Sequence, residues 1–259
     1  MKYLIIYVIA ILLPLTVSAA SSSEIKLAKA DIDLHDKASL QRGAGFFMNY
    51  CAGCHSLQYM RYMRLAKDIG ITNAQGNVDR RLVEKNLILG DSKIWDTIQI
   101  AMPKQAATQY FGIPVPDLSL VARVRGADWL YTYLTGFYRD DSRPWGANNL
   151  LVPGSAMPNV LYELQGEQVP QFVTKTVKLE DGTTEQIQKI NRLVLSHHGL
   201  MDLPHFDATI NDVVNFLVYV GEPVKLVRQR LGYWVLGFLI ILLIPAYLLY
   251  KDVWRDVKK

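Results

Sequence analysis

The sequence is short of cysteine, short of histidine and nearly free of any excess charge. Among its 259 residues Cys51 and Cys54 are the only cysteines, and there are five histidines. No second Cys-x-x-Cys and no His-x-x-x-His pair accompanies them, so a structural zinc site would lack half its ligands. The formal net charge is +4. From Ala20 to Arg230 the basic and acidic side chains almost cancel, 23 against 22. No basic stripe exists of the kind nucleic acid requires, and that class of partner is set aside.

Half of the chain is apolar, and much of that excess sits at its two ends. Met1-Lys2 leads into "YLIIYVIAILLPLTV", and small residues at Val17 and Ala19 suit a signal-peptidase site. Residues 1–19 therefore read as a cleaved signal peptide, with a retained N-terminal anchor as the alternative. At the other end "LGYWVLGFLIILLIPAYLLY", Leu231–Tyr250, carries no charged residue. At the helical rise this run crosses a hydrocarbon core of about 30 Å. Basic residues flank it on both sides, and Tyr233, Trp234, Tyr247, Tyr250 and Trp254 lie where aromatic belts form. The organisation expected is an exported domain over 20–224, then a single-pass anchor and short cytoplasmic tail over 225–259. The location expected of such a chain is the bacterial inner membrane, with the domain in the periplasm.

Export places the two cysteines in an oxidising compartment, where a disulfide is the default. A redox dithiol belongs at a βαβ turn, and none surrounds Cys51. His55 follows Cys54 directly, and Cys-x-x-Cys-His is the pattern of c-type haem attachment. On a helical turn, positions i, i+3 and i+4 share one face, so both thiols can add to haem vinyl groups while the histidine reaches the iron. Upstream, Leu40, Ala44, Phe47 and Cys51 recur at helical spacing. One motif implies one covalent haem c, with His55 as an axial ligand.

The ligand on the other side decides the function. An open position suits small-ligand binding or peroxidase-type chemistry, a second histidine gives a low potential, and a methionine raises it. Met48, Met60 and Met63 lie too close to Cys51 in sequence. Met102 and Met157 each stand in Ala-Met-Pro, where the proline stiffens the loop. Spacing from the haem motif favours Met102, and residue types alone leave the two unresolved. Met201, His35, His197, His198 and His205 are weaker rivals.

Three stretches add a resemblance. "QRGAGFFMNYCAGCHSLQYMRY" around the motif, "PDLSLVARVRGADWLYTYLTGFYRD" over Pro116–Asp140, and "INDVVNFLVYVGEPVKLVRQRLGYWVLGF" leading into the anchor occur in this order. Together they resemble the cytochrome c1 family, the haem subunit of the quinol:cytochrome c oxidoreductase complex. The resemblance implies Met157, in "NNLLVPGSAMPNVLY", as the second axial ligand and demotes Met102. It implies Arg125 near a haem propionate and Trp129 where the family usually has tyrosine, with one residue fewer between them than the family pattern. Pro114 and Pro116 are placed at the haem edge.

The implied fold is mainly α, a class I cytochrome c-like haem domain with loop and β-hairpin insertions and one C-terminal transmembrane helix. The hairpin is expected over about 169–195, where Val173, Lys175, Val177 and Leu179 alternate before a turn at Asp181-Gly182. The segment "DVVNFLVYVG" is expected to pack on the Leu40–Tyr50 helix. The implied role is electron transfer rather than catalysis by the chain alone. Electrons come from a Rieske iron–sulfur protein beside cytochrome b in a membrane complex and pass to another c-type cytochrome. The competing readings are a membrane-anchored monohaem carrier feeding a terminal oxidase or reductase, and a haem enzyme or sensor with an open axial site.

Overall fold

The computed structural model describes residues 25–100, 102–178 and 184–256. The signal peptide read over 1–19 and the Asp181-Gly182 turn lie outside these residues.

Two helices far apart in sequence build the centre of the domain. Helix α1, Lys37–Tyr50, starts where the Asp36 carboxylate accepts the Ser39 N–H at 3.0 Å. Helix α8, Leu203–Gly221, starts in the same way, with Asp202 accepting the His205 N–H at 2.9 Å and a proline in the first turn. Each buries one stripe: Leu40, Gly43, Ala44, Phe47 and Met48 on α1, and Phe206, Ile210, Val213, Val214 and Leu217 on α8. The two stripes face each other, as the sequence leads one to expect. Phe47 and Phe216 lie with ring centroids 5.6 Å apart. At Gly43 the backbones nearly touch, since a Cβ there would stand 2.1 Å from the Asp212 carbonyl oxygen and 2.8 Å from the Phe216 Cβ. Arg42 and Asp212 form a two-pronged ion pair beside that crossing. Buried Asn215 donates to the Asp33 carbonyl at 2.7 Å and to the Ser39 hydroxyl at 3.0 Å.

Short elements surround this pair. In chain order they are β1 (Leu57–Arg61), α2 (Tyr62–Ile69), α3 (Arg80–Asn86), β2 (Thr97–Ile98), α4 (Lys104–Phe111), α5 (Val121–Arg125), α6 (Ala127–Thr135), β3 (Phe137–Arg139), β4 (Ala147–Asn149) and α7 (Tyr162–Gln165). Strands β1 and β2 pair antiparallel, as do β3 and β4. The N-terminal strap ties α6 and α8 together: Ala30 N–H donates to Asp128 on α6 and Asp31 N–H to Asn211 on α8, each at 2.9 Å.

The hairpin consists of β5, Gly166–Lys178, and β6, Thr184–His198, in antiparallel register from Gly166↔His198 to Lys178↔Thr184. Its base reaches further towards the domain than the alternating pattern suggests. There Gln168 donates from Nε2 to the Phe137 and Thr135 carbonyls at 2.8 and 2.9 Å, joining β5 to the end of α6 and to β3. Polar residues at the base, Glu167, Gln168, Ser196 and His197, break the apolar alternation, so sequence periodicity misses them. Phe172 and Ile187 stay exposed on the ribbon.

Among the described residues, one helix is long and apolar enough to cross a membrane: α9, Lys225–Val253, with a mean hydropathy of 2.2 over its most apolar window and no buried residue. Pro245 lies inside it, tolerated in such helices although it removes one backbone bond. Only Glu222, Pro223 and Val224 separate α8 from α9. Glu222 accepts a hydrogen bond from Arg228 on α9 and faces Arg123 of α5 at 3.5 Å.

The Arg228 bond holds the Glu222 carboxyl below its ordinary value. Its folded value is thus lower than the unfolded one, near about 4.3. The contribution is complete above that pH and is lost as pH falls through the folded value. Acidification below pH of about 4 is therefore expected to loosen the junction. Limited proteolysis in detergent checks this: cleavage near 222–224 should rise at acid pH in the native chain and already be high at neutral pH in Glu222→Gln.

A candidate haem-attachment site

Helix α1 does not stop cleanly at Tyr50. The Cys51 and Ala52 N–H groups both donate to the Phe47 carbonyl, at 2.8 and 2.9 Å. The Cys51 carbonyl then accepts from Cys54 N–H at 3.0 Å and from His55 N–H at 2.8 Å. One further helical turn thus carries Cys51, Cys54 and His55, the i, i+3, i+4 arrangement that the motif requires. Beneath this turn Phe47, Met48 and Leu57 are sealed in the core, whereas Cys51, Cys54 and His55 remain partly exposed.

Both cysteines are free thiols. Burial pushes the Cys51 thiol up to about 12, with Cys54 adding to the effect. A redox dithiol needs the opposite, a thiolate favoured by a lowered value. Among the described residues no three His, Cys, Asp or Glu side chains cluster so as to hold a metal ion.

His55 is fixed by a partner 61 residues away. Its Nδ1 lies 2.9 Å from the Pro116 carbonyl oxygen, which can only accept, so Nδ1 carries the proton and Nε2 keeps its lone pair. Burial holds the imidazole below its ordinary value, outweighing the Pro116 bond and the nearby Asp117 charge, which act the other way. A neutral, oriented imidazole with a free Nε2 is what an axial position on haem iron requires. Two free thiols on the same turn complete the donor set, and these residues fit a covalently attached haem c.

Pro116 belongs to a short strap laid against residues 55–59. Leu118 N–H donates to the Ser56 carbonyl at 2.9 Å, Gln58 N–H to the Asp117 carboxylate at 2.8 Å, and Tyr59 N–H to the Ser119 hydroxyl at 3.2 Å. Asp117 and Ser119 are site residues that the sequence reading missed. Their signal was the turn-forming Asp and Ser within Pro-Asp-Leu-Ser. Pro116, expected at the haem edge as a rigid apolar ring, engages His55 through its backbone carbonyl.

The two methionine candidates stand on differently anchored loops. Met102 follows Ile100, whose N–H donates to the Ser56 hydroxyl at 3.1 Å, so its stretch is tied beside His55. Met157 follows Ser155, whose hydroxyl lies 2.8 Å from the Tyr133 hydroxyl on α6. Buried Asn149 pins the start of that loop, donating to the Tyr133 carbonyl at 2.8 Å and accepting from Leu151 and Val152 N–H. Tyr133 stacks on Trp129 at 5.1 Å, and the Arg125 guanidinium lies 5.0 Å over the Trp129 ring. Arg125, Trp129, Tyr133 and the Met157 loop therefore form one connected column. Of the rival histidines, His197 leans on Glu167 at 3.4 Å and His205 on Asp202 at 2.7 Å.

Known proteins resemble this chain over most of its length. A model of the Cytochrome C1 family matches residues 28–197. A cytochrome c1 of Allochromatium vinosum is 46% identical over 99% of this chain and 100% of its own length. The "ammonia monooxygenase gamma subunit" of Nitrosomonas europaea is 42% identical over 99% of this chain and 100% of its own length. A "cytochrome b/c1" of Bradyrhizobium diazoefficiens is 26% identical over 85% of this chain, which spans 34% of that longer protein.

Proposed function

The chain belongs to the cytochrome c1 family, and from that premise we propose that it is the membrane-anchored monohaem subunit of a quinol-oxidising complex, receiving single electrons from a Rieske iron–sulfur protein and handing them to another c-type cytochrome. The observation that carries this reading is the His55–Pro116 hydrogen bond beside two free thiols on one helical turn.

Bound at this turn, haem c supplies a one-electron ferric/ferrous couple. Cys51 and Cys54 hold it as thioethers, and His55 presents Nε2 in a direction fixed by Pro116. Met157 would supply the second ligand to the iron; the family pattern supports it, and its loop is tied to α6 through Ser155 and Asn149. Arg125, held over Trp129, is the cation for a propionate. The α1–α8 core keeps water from one side of the site, which disfavours the extra charge of the ferric state and favours a high potential.

The domain over 20–224 is a class I cytochrome c-like fold in which the β5–β6 ribbon is an insertion. It stands in the periplasm, anchored by α9 in the inner membrane. Cytochrome b is its neighbour in the complex, a pairing supported by the relative named cytochrome b/c1. The chain moves electrons and makes or breaks no substrate bond itself. The relative named for ammonia monooxygenase favours a second reading, a similar anchored carrier that serves a different oxidase or reductase.

The experiment compares visible spectra of the oxidised full-length protein in detergent, native beside Met157→Leu and Met102→Leu. Only Met157→Leu is expected to lose the weak far-red band of an iron–methionine bond. Its midpoint potential should fall by a substantial part of the roughly 0.8 V that axial ligation spans. Loss of the band in Met102→Leu alone would move the ligand and undo the family layout. Purification together with a cytochrome b supports the quinol-oxidising complex over the second reading.

A further inference from the structure

Asp117 holds two backbone N–H groups at once. One carboxylate oxygen accepts from Gln58 at 2.8 Å, in the stretch leaving the haem motif, and the other accepts from Ser119 at 2.9 Å, in its own strap. The residue before it supplies the carbonyl that receives the His55 Nδ1–H, and the residue after it donates to the Ser56 carbonyl. Both ends of the His55–Pro116 hydrogen bond are therefore attached to backbone that this one carboxylate spans. Ser119, fully buried, repeats the tie one step further through the Tyr59 N–H.

We propose that Asp117 is a positioning residue that sets the electron-transfer potential of the site by clamping the Pro116 carbonyl onto His55 Nδ1. The inference rests on His55 being the axial ligand, as argued above. A hydrogen bond accepted from Nδ1–H makes the imidazole more electron-rich at Nε2 and stabilises the ferric state. The clamp keeps that bond short. Without it the strap 116–119 retains only the Leu118 and Ser119 ties, the Pro116 carbonyl drifts, and the ferric state loses stabilisation. Loss of the carboxylate charge acts in the same direction. The chemistry also says why this position is acidic. Two N–H donors must be accepted by two separate oxygens, which Asp provides and Asn does not.

The test uses full-length Asp117→Ala and Asp117→Asn, with midpoint potential and exchange of the His55 Nδ1 proton by NMR as readouts. In Asp117→Ala the ferrous/ferric ratio at fixed solution potential is expected to rise about tenfold, which is about 59 mV upward for one electron. Nδ1 proton exchange should speed up about tenfold as well. Asp117→Asn, with one acceptor left, should exchange at a rate between native and Asp117→Ala, and it carries the test by itself if Asp117→Ala fails to mature. An unchanged potential overturns the inference. So does a shift of equal size in both variants with exchange unchanged, because that is charge without positioning. The far-red band is recorded on the same samples: its presence in the native protein, with potential and exchange unchanged in the variants, sinks the clamp while leaving the carrier reading intact.

Discussion

The double variant Cys51→Ala, Cys54→Ala is expected to lose all covalently held haem. After denaturing electrophoresis, peroxidase staining of the band should vanish, and acidified acetone should extract any pigment that remains. The local backbone does not depend on the thiols. Cys51 and Ala52 donate from backbone N–H to Phe47, and the Cys51 carbonyl closes the next turn, bonds that alanine makes equally well. Chemical attachment, not local folding, is what the change removes. The single variants separate the two bonds. Each should keep haem through one thioether, with the reduced pyridine spectrum shifted to longer wavelength because one vinyl stays conjugated. A band that still stains in the double variant would mean that neither cysteine is an attachment point.

A comparably large effect comes from a glycine that no motif singles out. Gly43→Ala should destabilise the domain by about 3 kcal/mol or more, since overpacking already costs roughly 1–3 kcal/mol where side chains can yield. Here the new methyl would meet the Asp212 carbonyl at 2.1 Å, and that oxygen belongs to the backbone of α8 and cannot step aside. The helices must separate, parting Phe47 from Phe216 and opening the core beneath the haem turn. For a domain of this size such a loss lowers the melting temperature by about 6–12 °C. Gly45, two residues on in the same helix, is the control: a Cβ there meets nothing within 4 Å. Gly45→Ala should stabilise by about 0.5–1 kcal/mol through backbone entropy. Thermal unfolding followed by circular dichroism reads both, and equal effects at the two positions would remove the close-approach argument.

What could be read from the chain, and what could not, follows from the range of each interaction. Cys51, Cys54 and His55 were legible because their geometry is set within one helical turn. The α1 and α8 stripes were legible because 3.6-residue periodicity reports which face is buried. Helix α9 was legible from composition alone. The partner of His55 was not, because the Pro116 carbonyl comes from 61 residues away and a backbone oxygen has no residue-type signature. Gly43 was hidden for a similar reason, since only the crossing of α8 shows why that glycine differs from Gly45. The hairpin's alternating middle was visible while its base was not, its anchor being side-chain bonds from Gln168 to carbonyls. Met102 and Met157 share the same local sequence, and nothing local distinguishes them. What separates them in the fold is which neighbour each loop is tied to, Ser56 or Tyr133.

The core closes between partners that are 170 residues apart, where Arg42 on α1 meets Asp212 on α8. Synthesis from the N-terminus completes Cys51 to His55 long before it reaches α8. During that interval α1 has no partner for its apolar stripe, and loop closure over such a span is slow. The attachment motif is thus displayed on an open chain while synthesis continues, and the last helix before the anchor seals the pocket only afterwards. The order in which the parts become available is written into the distance between the two halves of the core: attachment motif first, closing helix second, with α9 following within a few residues of it.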